Sequence, residues 1–286
     1  MAPMAYNYSD SLKSDLSDEP VNVYLQRPLA GLLVRLLYPT SVTPNQLTVA
    51  AIALGIAGAV LIPFGGRMLC AAGALVYLKD LFDSADGQLA RAKQLYSRRG
   101  RFLDSIGDFV VNLLLFGGIG VLLVRCGCSA VESLVLALCG FLGVMLRVSY
   151  HVFYQTAFLH TFREYQTNRL SEEFREEDYT QDPATRRLQE MFQILYGWQD
   201  RLMARIDRRS RRGIKDPSAL ATWYRDAAGL RLGGMLGLGT EYVMLTACLL
   251  LRSPEAYLIG SLGVLNCFWM SAILYRRYLL GGRLLR

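Results

Sequence analysis

Charged residues are scarce in this chain of 286 residues: only 19% are Asp, Glu, Lys or Arg, whereas 52% are hydrophobic. Residues 48–66 and 256–275 contain no charge at all. Each of these runs approaches the ~20 residues that an α-helix needs to cross a bilayer. Their number and length argue against a soluble protein with buried helices and indicate an integral membrane protein.

Histidine and clustered cysteine are also lacking. The chain has two histidines and six cysteines, and four of the cysteines lie inside apolar runs, where cysteine usually acts as a small hydrophobic residue. Cys126 and Cys128 share a short loop, but the single residue between them gives poor geometry for a disulfide or a zinc site. We therefore expect no disulfide framework and no metal–thiolate chemistry.

The apolar runs predict six membrane-spanning helices, at roughly 48–66, 68–88, 103–125, 130–154, 229–251 and 255–277. Basic residues crowd the link after the second helix and the segment after the sixth: Arg91, Lys93, Arg98, Arg99, Arg101, Arg276, Arg277, Arg283 and Arg286. The positive-inside rule then places both termini and the basic links in the cytoplasm. We expect a multi-pass protein of the cell's cytoplasmic (inner) membrane. Within the fifth span, Glu241 must be paired, protonated or facing a cavity, and it is a candidate partner for Arg147 or Arg231.

Two segments of different composition complete the predicted fold. Leucines recur at helical spacing in residues 21–39, with Arg27 and Arg35 as polar residues between them, which predicts an amphipathic helix in the membrane interface. Residues 156–228 are charged and lack a spanning run, which predicts a cytoplasmic helical insertion. The fold class is therefore an all-α membrane bundle of six helices. Its parts are a polar tail 1–20, the interfacial helix 21–39, helices one to four in 40–155, the insertion 156–228, and helices five and six with a basic C-terminus in 229–286.

Acidic residues stand where two of the spans meet the cytoplasm. Asp83 and Asp86 are three residues apart near the end of the second span, and Asp104 and Asp108 are four apart at the start of the third. Each pair therefore shares one helix face. Because the two helices are consecutive and antiparallel, their cytoplasmic ends can bring the four carboxylates together. Ionisable groups at this depth normally face a bundle interior or a cavity.

Four carboxylates in one cleft repel one another unless a cation lies among them. A site of oxygen ligands without histidine or cysteine suits Mg²⁺ or Mn²⁺, and Mg²⁺ commonly completes its shell with phosphate oxygens. This chemistry indicates a pyrophosphate substrate. Gly87 and Ala90 leave room for it beside the metal, and Arg91 is placed to neutralise a phosphate. The alternative is an interfacial ion cluster of these aspartates with the arginines of the link.

The stretch 83–108 resembles the signature of the CDP-alcohol phosphotransferase family. The matching residues are Asp83, Asp86, Gly87, Ala90, Arg91, Gly100, Asp104 and Asp108. The sequence TPNQLT at 43–48 is similar to the Pro-Asn element of the same family. The resemblance extends over the spanning core from about 40 to 280, whereas the insertion 156–228 lies outside what the smallest members have.

The resemblance implies a six-helix membrane enzyme, commonly a homodimer, with its active site open to the cytoplasm. It implies that Asp83, Asp86, Asp104 and Asp108 hold Mg²⁺ or Mn²⁺ and that Asp108 is also the general base. The partners would be a CDP-alcohol donor, an alcohol acceptor and membrane lipid, and no nucleic acid despite the net charge of +7. The implied substrate-binding residues are Asn45, Gln46, Leu47, Thr48, Gly87, Ala90, Arg91, Ser97 and Gly100.

The donor is less closely defined by sequence. Ser105 follows Asp104, whereas choline and ethanolamine phosphotransferases of the family carry histidine there, so that branch is disfavoured. The first expectation is CDP-diacylglycerol, hence phosphatidyl transfer in phospholipid biosynthesis. The alternative is a water-soluble CDP-polyol of the CDP-inositol type. An ion transporter is a distant alternative, because it would spread its carboxylates through the membrane depth.

Overall fold

The computed structural model describes residues 6–12, 15–162 and 172–284. All regular secondary structure in these ranges is helical. Short 3₁₀ or π turns join several of the helices into longer runs. The helices are α1 (Arg27–Leu37), α2 (Pro44–Leu61), α3 (Arg67–Ala92), α4 (Arg98–Arg125), α5 (Ala130–Leu159), α6 (Pro183–Ser210), α7 (Pro217–Arg225), α8 (Ala227–Gly234), α9 (Leu238–Leu250), α10 (Pro254–Ile259), α11 (Asn266–Leu274) and α12 (Gly281–Leu284).

Five helical runs in the described part of the chain are long and apolar enough to cross a membrane. They are Pro44–Phe64, Arg98–Arg125, Ala130–Leu159, Ala227–Leu250 and Pro254–Leu284. The remaining predicted span is α3, whose 26 residues would extend about 39 Å at ~1.5 Å per residue. Helix α3 is less apolar than these five runs, because it carries several charged residues, among them the first two aspartates of the motif. A sixth span therefore stays a prediction.

Helix α3 lies at the centre of the bundle because small residues let its neighbours approach closely. A Cβ added at Gly58 of α2 would lie 3.2 Å from the carbonyl oxygen of Ala72, and one added at Gly73 of α3 would lie 3.2 Å from that of Thr246 in α9. The apolar core extends from α2, α3 and α4 to side chains of α5, α9 and α10. This packing fixes the N-terminal half of α3, and the aspartates lie further along the same helix.

The predicted amphipathic helix forms at α1, preceded by a π turn at Asn22–Gln26. Ala30 and Val34 pack on α3, while Leu32 and Leu36 are exposed. An exposed leucine row suits a helix at a membrane surface, and its interfacial position stays a prediction. Arg27, one of the polar residues of this helix, is buried, and its guanidinium forms ion pairs with two aspartates of the N-terminal segment, Asp15 and Asp18.

Glu241, the charged residue of the fifth predicted span, forms an ion pair inside the bundle. Arg147 of α5 and Glu241 of α9 are both almost completely buried and form an ion pair, with Arg147 Nε donating to Glu241 Oε1 at 2.9 Å. Ser261 accepts a further hydrogen bond from Arg147 through its carbonyl, at 2.9 Å. Of the alternatives open for Glu241, the structure shows pairing with one of its two candidate arginines.

Candidate active site

Helices α3 and α4 bring the motif together by reversing over a short link, in which Gln94 adopts a left-handed backbone with φ of 55°. One carboxylate oxygen each from Asp83, Asp104 and Asp108 lie within 4.8 Å of one another. These groups come from both helices, as the spacing predicted. Because three oxygen ligands converge, this cluster is the part of the described structure best suited to hold a divalent metal ion.

Asp86 lies beside this cluster with a partner of its own. The carboxylate is nearly buried and accepts a hydrogen bond from the Thr48 hydroxyl at 2.5 Å. Thr48 belongs to the first turns of α2, which begins with a reciprocal capping pair between Thr43 and Gln46. Helix α2 therefore fixes the orientation of Asp86, whose role as a fourth metal ligand stays a prediction.

Sequence reasoning assigned no role to Lys79, although it enters the site directly. Its side chain is 1% exposed and forms an ion pair with Asp108, and its Nζ lies 3.7 Å from Asp83 Oδ1. The ring of Tyr242 in α9 lies under the ammonium, with 4.4 Å from Nζ to the ring centroid. A usable signal was present: Lys79 stands in an apolar run, one turn before Asp83.

A cavity of about 1150 Å³ opens beside the aspartates. Its wall contains two of them and most of the residues expected to bind substrate: Asp86, Asp104, Asn45, Thr48, Gly87, Ala90, Arg91, Ser97 and Gly100. Gln46 and Leu47 do not line it. The Gln46 side chain accepts from the Thr43 backbone N–H at 2.9 Å, and Leu47 is buried in the cluster between α1 and α3. Asn45 and Thr48 share one face of α2, which explains why these two line the cavity and Gln46 and Leu47 do not.

Gly100 is required by a close approach across the cavity wall. A Cβ at this position would lie 2.5 Å from Asn45 Oδ1 and 2.8 Å from Ser97 Oγ. Ser97 caps the N-terminus of α4, its Oγ accepting from the Gly100 backbone N–H at 2.9 Å. The missing side chain therefore allows the amide of Asn45 to sit against the first turn of α4.

The insertion provides the outer wall of the same cavity through Glu173, Phe174, Arg175, Glu177 and Gln181. Two buried acids beside these residues bind the start of α4. Arg98 donates to Asp178 Oδ1 at 2.6 Å and to Glu172 Oε2 at 2.8 Å, and Arg101 also pairs with Glu172. Arginines that sequence analysis used for topology thus hold the insertion against the motif.

Helix α6 of the insertion packs beside the aspartates. The Tyr196 hydroxyl donates to the Ser105 carbonyl at 2.7 Å, and Phe192 contacts Phe102 of α4 with 5.4 Å between ring centroids. Burial raises the pKa of Tyr196, and the nearby Asp108 and Asp104 raise it further. The insertion therefore forms part of the site's surroundings, a role that its composition did not reveal.

Comparison with known proteins identifies the motif. Residues 41–170 match the family model for CDP-alcohol phosphatidyltransferase. These 130 of the 286 residues are similar to that family. The match includes α2 to α5, so it contains all four aspartates and the first turn of α2. The family resemblance predicted from the motif is confirmed, and together with the five apolar helices it indicates a membrane protein.

Two curated relatives share a further stretch of sequence. "Bifunctional IPC transferase and DIPP synthase" of Rubrobacter xylanophilus is 33% identical over 105 residues, 37% of this chain and 24% of the relative. The protein of the same name from Thermococcus kodakarensis is 38% identical over 92 residues, 32% of this chain and 20% of the relative. The chain thus matches about a quarter or less of the length of these relatives.

Proposed function

We propose that this protein is a membrane transferase that moves a substituted phosphoryl group from a CDP-alcohol to the hydroxyl of an acceptor alcohol and releases CMP. The observation that carries the proposal is the convergence of Asp83, Asp104 and Asp108, with ligand oxygens within 4.8 Å of one another, in a segment that matches the family. An interfacial ion cluster explains the site less well, because Arg98 and Arg101 of the link pair with Glu172 and Asp178 of the insertion instead.

The residues at this position fit a divalent metal ion. Mg²⁺ binds oxygen ligands at ~2.0–2.1 Å, so two ligands on opposite sides of the ion are about 4.2 Å apart. The three oxygens of the observed cluster lie within 4.8 Å of one another, close to this upper spacing. We infer that Asp83, Asp104 and Asp108 hold Mg²⁺ or Mn²⁺, with Asp86 as a further ligand. When bound, the ion neutralises charge on the donor pyrophosphate and on the departing CMP.

The chain's own residues would bind the donor and move one proton. We infer that Asn45 and the open backbone at Gly87 receive the nucleotide and its phosphates, with Arg91 offsetting phosphate charge. The acceptor oxygen forms a bond to the phosphorus on the alcohol side of the pyrophosphate. The bond from that phosphorus to the bridging oxygen breaks, and CMP leaves with the electron pair. Asp108 takes the hydroxyl proton as general base.

The donor that we propose is a water-soluble CDP-polyol of the inositol type, in place of CDP-diacylglycerol. Both relatives are named as an IPC transferase and DIPP synthase, and we take this pairing of activities to indicate a CDP-polyol. The cavity suits a polyol, because many polar and charged side chains line it, including Glu173, Arg175 and Gln181 of the insertion.

We further propose that the cavity faces the cytoplasm and that the enzyme is a homodimer. The orientation follows from Arg98, Arg99 and Arg101 at the cavity end of α4, since basic residues are retained on the cytoplasmic side. The dimer follows from the family resemblance. Lipid contact is expected along the exposed apolar residues of the spanning helices, such as Val131 and Leu134 of α5.

The proposed function is tested by following CMP from purified protein in detergent. CDP-inositol and CDP-diacylglycerol are each supplied with Mg²⁺, with and without a panel of alcohols that includes inositol phosphate and glycerol phosphate. We expect CMP from CDP-inositol only when an acceptor alcohol is present, and none after chelation of the metal. Release without acceptor would indicate a hydrolase. Release from CDP-diacylglycerol alone would contradict the donor assignment, and no release from either would contradict the transferase.

A substitution at Gly100 should weaken donor binding without touching a metal ligand. Gly100→Ala forces Asn45 and Ser97 to move, because the new methyl group would overlap both. We expect KM for the donor to rise about tenfold or more, since displacements of about 1 Å in a site have effects of this size. The matched control is Gly117→Ala in the same helix, where a Cβ meets no atom within 4 Å. Equal KM values for both variants would contradict the role of the Asn45 contact.

A further inference from the structure

Lys79 is built into the centre of the aspartate cluster. Its stem passes α2 at Gly55, where a Cβ would lie 3.1 Å from Lys79 Cγ. Tyr242 supports the ammonium from α9 and is itself fixed by Asn112 Nδ2, which donates to its hydroxyl at 3.0 Å. Asn112 also donates to the Asp108 carbonyl at 2.8 Å. Residues of α2, α4 and α9 thus surround this side chain of α3, which leaves it little freedom to turn away.

The position of Lys79 matters because a metal ion would share its surroundings. An ammonium in contact with Asp108 and 3.7 Å from Asp83 Oδ1 repels a divalent cation bound to the same carboxylates, and a buried site screens this repulsion poorly. The ion pair also engages one oxygen of Asp108. Asp108 bound in this way offers its second oxygen to a metal ion.

We propose that Lys79 is a positioning residue that holds Asp108 for proton transfer and weakens divalent metal binding by the aspartate cluster. This inference rests on the proposed function, in which Asp108 is the base. Without the ammonium, both oxygens of Asp108 would be available to the metal ion, and one positive charge that repels the ion would be gone. Metal binding would then strengthen while turnover falls, a combination that a purely structural lysine would not produce.

The test measures metal affinity and turnover separately. Mn²⁺ is titrated into nucleotide-free protein in detergent, with free Mn²⁺ followed by electron paramagnetic resonance. We expect Lys79→Gln to bind Mn²⁺ at least about tenfold more tightly, because one nearby positive charge is lost, and to lower kcat for CMP release at least about tenfold with little change in KM. Lys79→Arg keeps the charge and should retain the wild-type Mn²⁺ affinity. Lys215→Gln, an exposed lysine between α6 and α7, is the matched control and should change neither quantity.

An unchanged or weaker Mn²⁺ affinity in Lys79→Gln would overturn the proposal. Tighter Mn²⁺ binding in Lys79→Arg, which keeps the charge, would overturn it too. If thermal melting shows that Lys79→Gln is unfolded, Lys79→Met is a second neutral variant, and it should also bind Mn²⁺ more tightly. Failure of this inference is distinguishable from failure of the proposed function. If the wild-type protein releases CMP but the Mn²⁺ affinity does not change in Lys79→Gln, only the role of Lys79 is contradicted. Absence of CMP release from every donor, despite tighter Mn²⁺ binding in Lys79→Gln, contradicts only the transferase.

Discussion

Asp83→Asn is expected to abolish CMP release, as are Asp86→Asn and Asp104→Asn. Under the proposed function, each change removes a negative oxygen ligand from a site whose metal ion offsets pyrophosphate charge. Asp83 and Asp104 belong to the cluster of converging oxygens, so their loss should also remove metal-dependent nucleotide binding. Asp86 is held by Thr48, and the same outcome there would support its role as a further ligand.

The measurement is CMP release at saturating Mg²⁺, after thermal melting has shown that each variant is folded. Glu255→Gln is the matched control, because it removes a carboxylate that is exposed at the start of α10, away from the cluster. The control should keep wild-type activity. Wild-type activity in any of the three aspartate variants would show that the residue does not hold an essential metal ion.

Asp108→Asn should separate binding from chemistry. The asparagine retains one oxygen for the metal but does not accept a proton usefully near neutral pH. We therefore expect near-normal donor affinity with metal, while turnover falls by ~10²-fold or more. The comparison is donor titration into Asp108→Asn and Asp83→Asn, with and without Mg²⁺. Only the Asp83 variant should lose the metal-dependent part of the affinity.

Because Asp108 pairs with Lys79, this experiment needs a control for the stability of the variant. Asp108→Asn leaves the buried ammonium without its closest carboxylate, so part of any loss could come from stability. Thermal melting of the variant measures that part directly. If folded Asp108→Asn lost donor binding as completely as Asp83→Asn, ligation would be its main role. The base would then have to be a water molecule or a phosphate of the substrate.

Local spacing was sufficient to predict where the aspartates lie. Residues three or four apart on a helix share a face, and the short link between α3 and α4 leaves an antiparallel pair, so the meeting of Asp83, Asp104 and Asp108 followed from the sequence. The apolar runs likewise indicated the spanning helices. Proximity within the motif was a poorer guide for Gln46 and Leu47, since neighbours along a helix point in different directions.

Contacts between distant parts of the chain could not be read from local patterns. Lys79 meets Tyr242 across 163 positions of sequence, and only the packing of α3 against α9 reveals the contact. From the sequence, Arg98 served only to orient the protein in the membrane, yet it forms ion pairs with Glu172 and Asp178 of the insertion. Arg27 stands among the leucines of an amphipathic helix, yet it is buried and paired with two aspartates of the N-terminal segment. In each case the partner is too far away in the sequence for a helical repeat to predict the contact.

The central claim is that Asp83, Asp104 and Asp108 together hold a divalent metal ion. Anomalous scattering from crystals grown with Mn²⁺, collected near the manganese absorption edge, locates such an ion directly. We predict an anomalous peak at about 2.2 Å from carboxylate oxygens of these three aspartates. A well-ordered site with no peak there, and with Asp108 bound only to Lys79, would contradict the account.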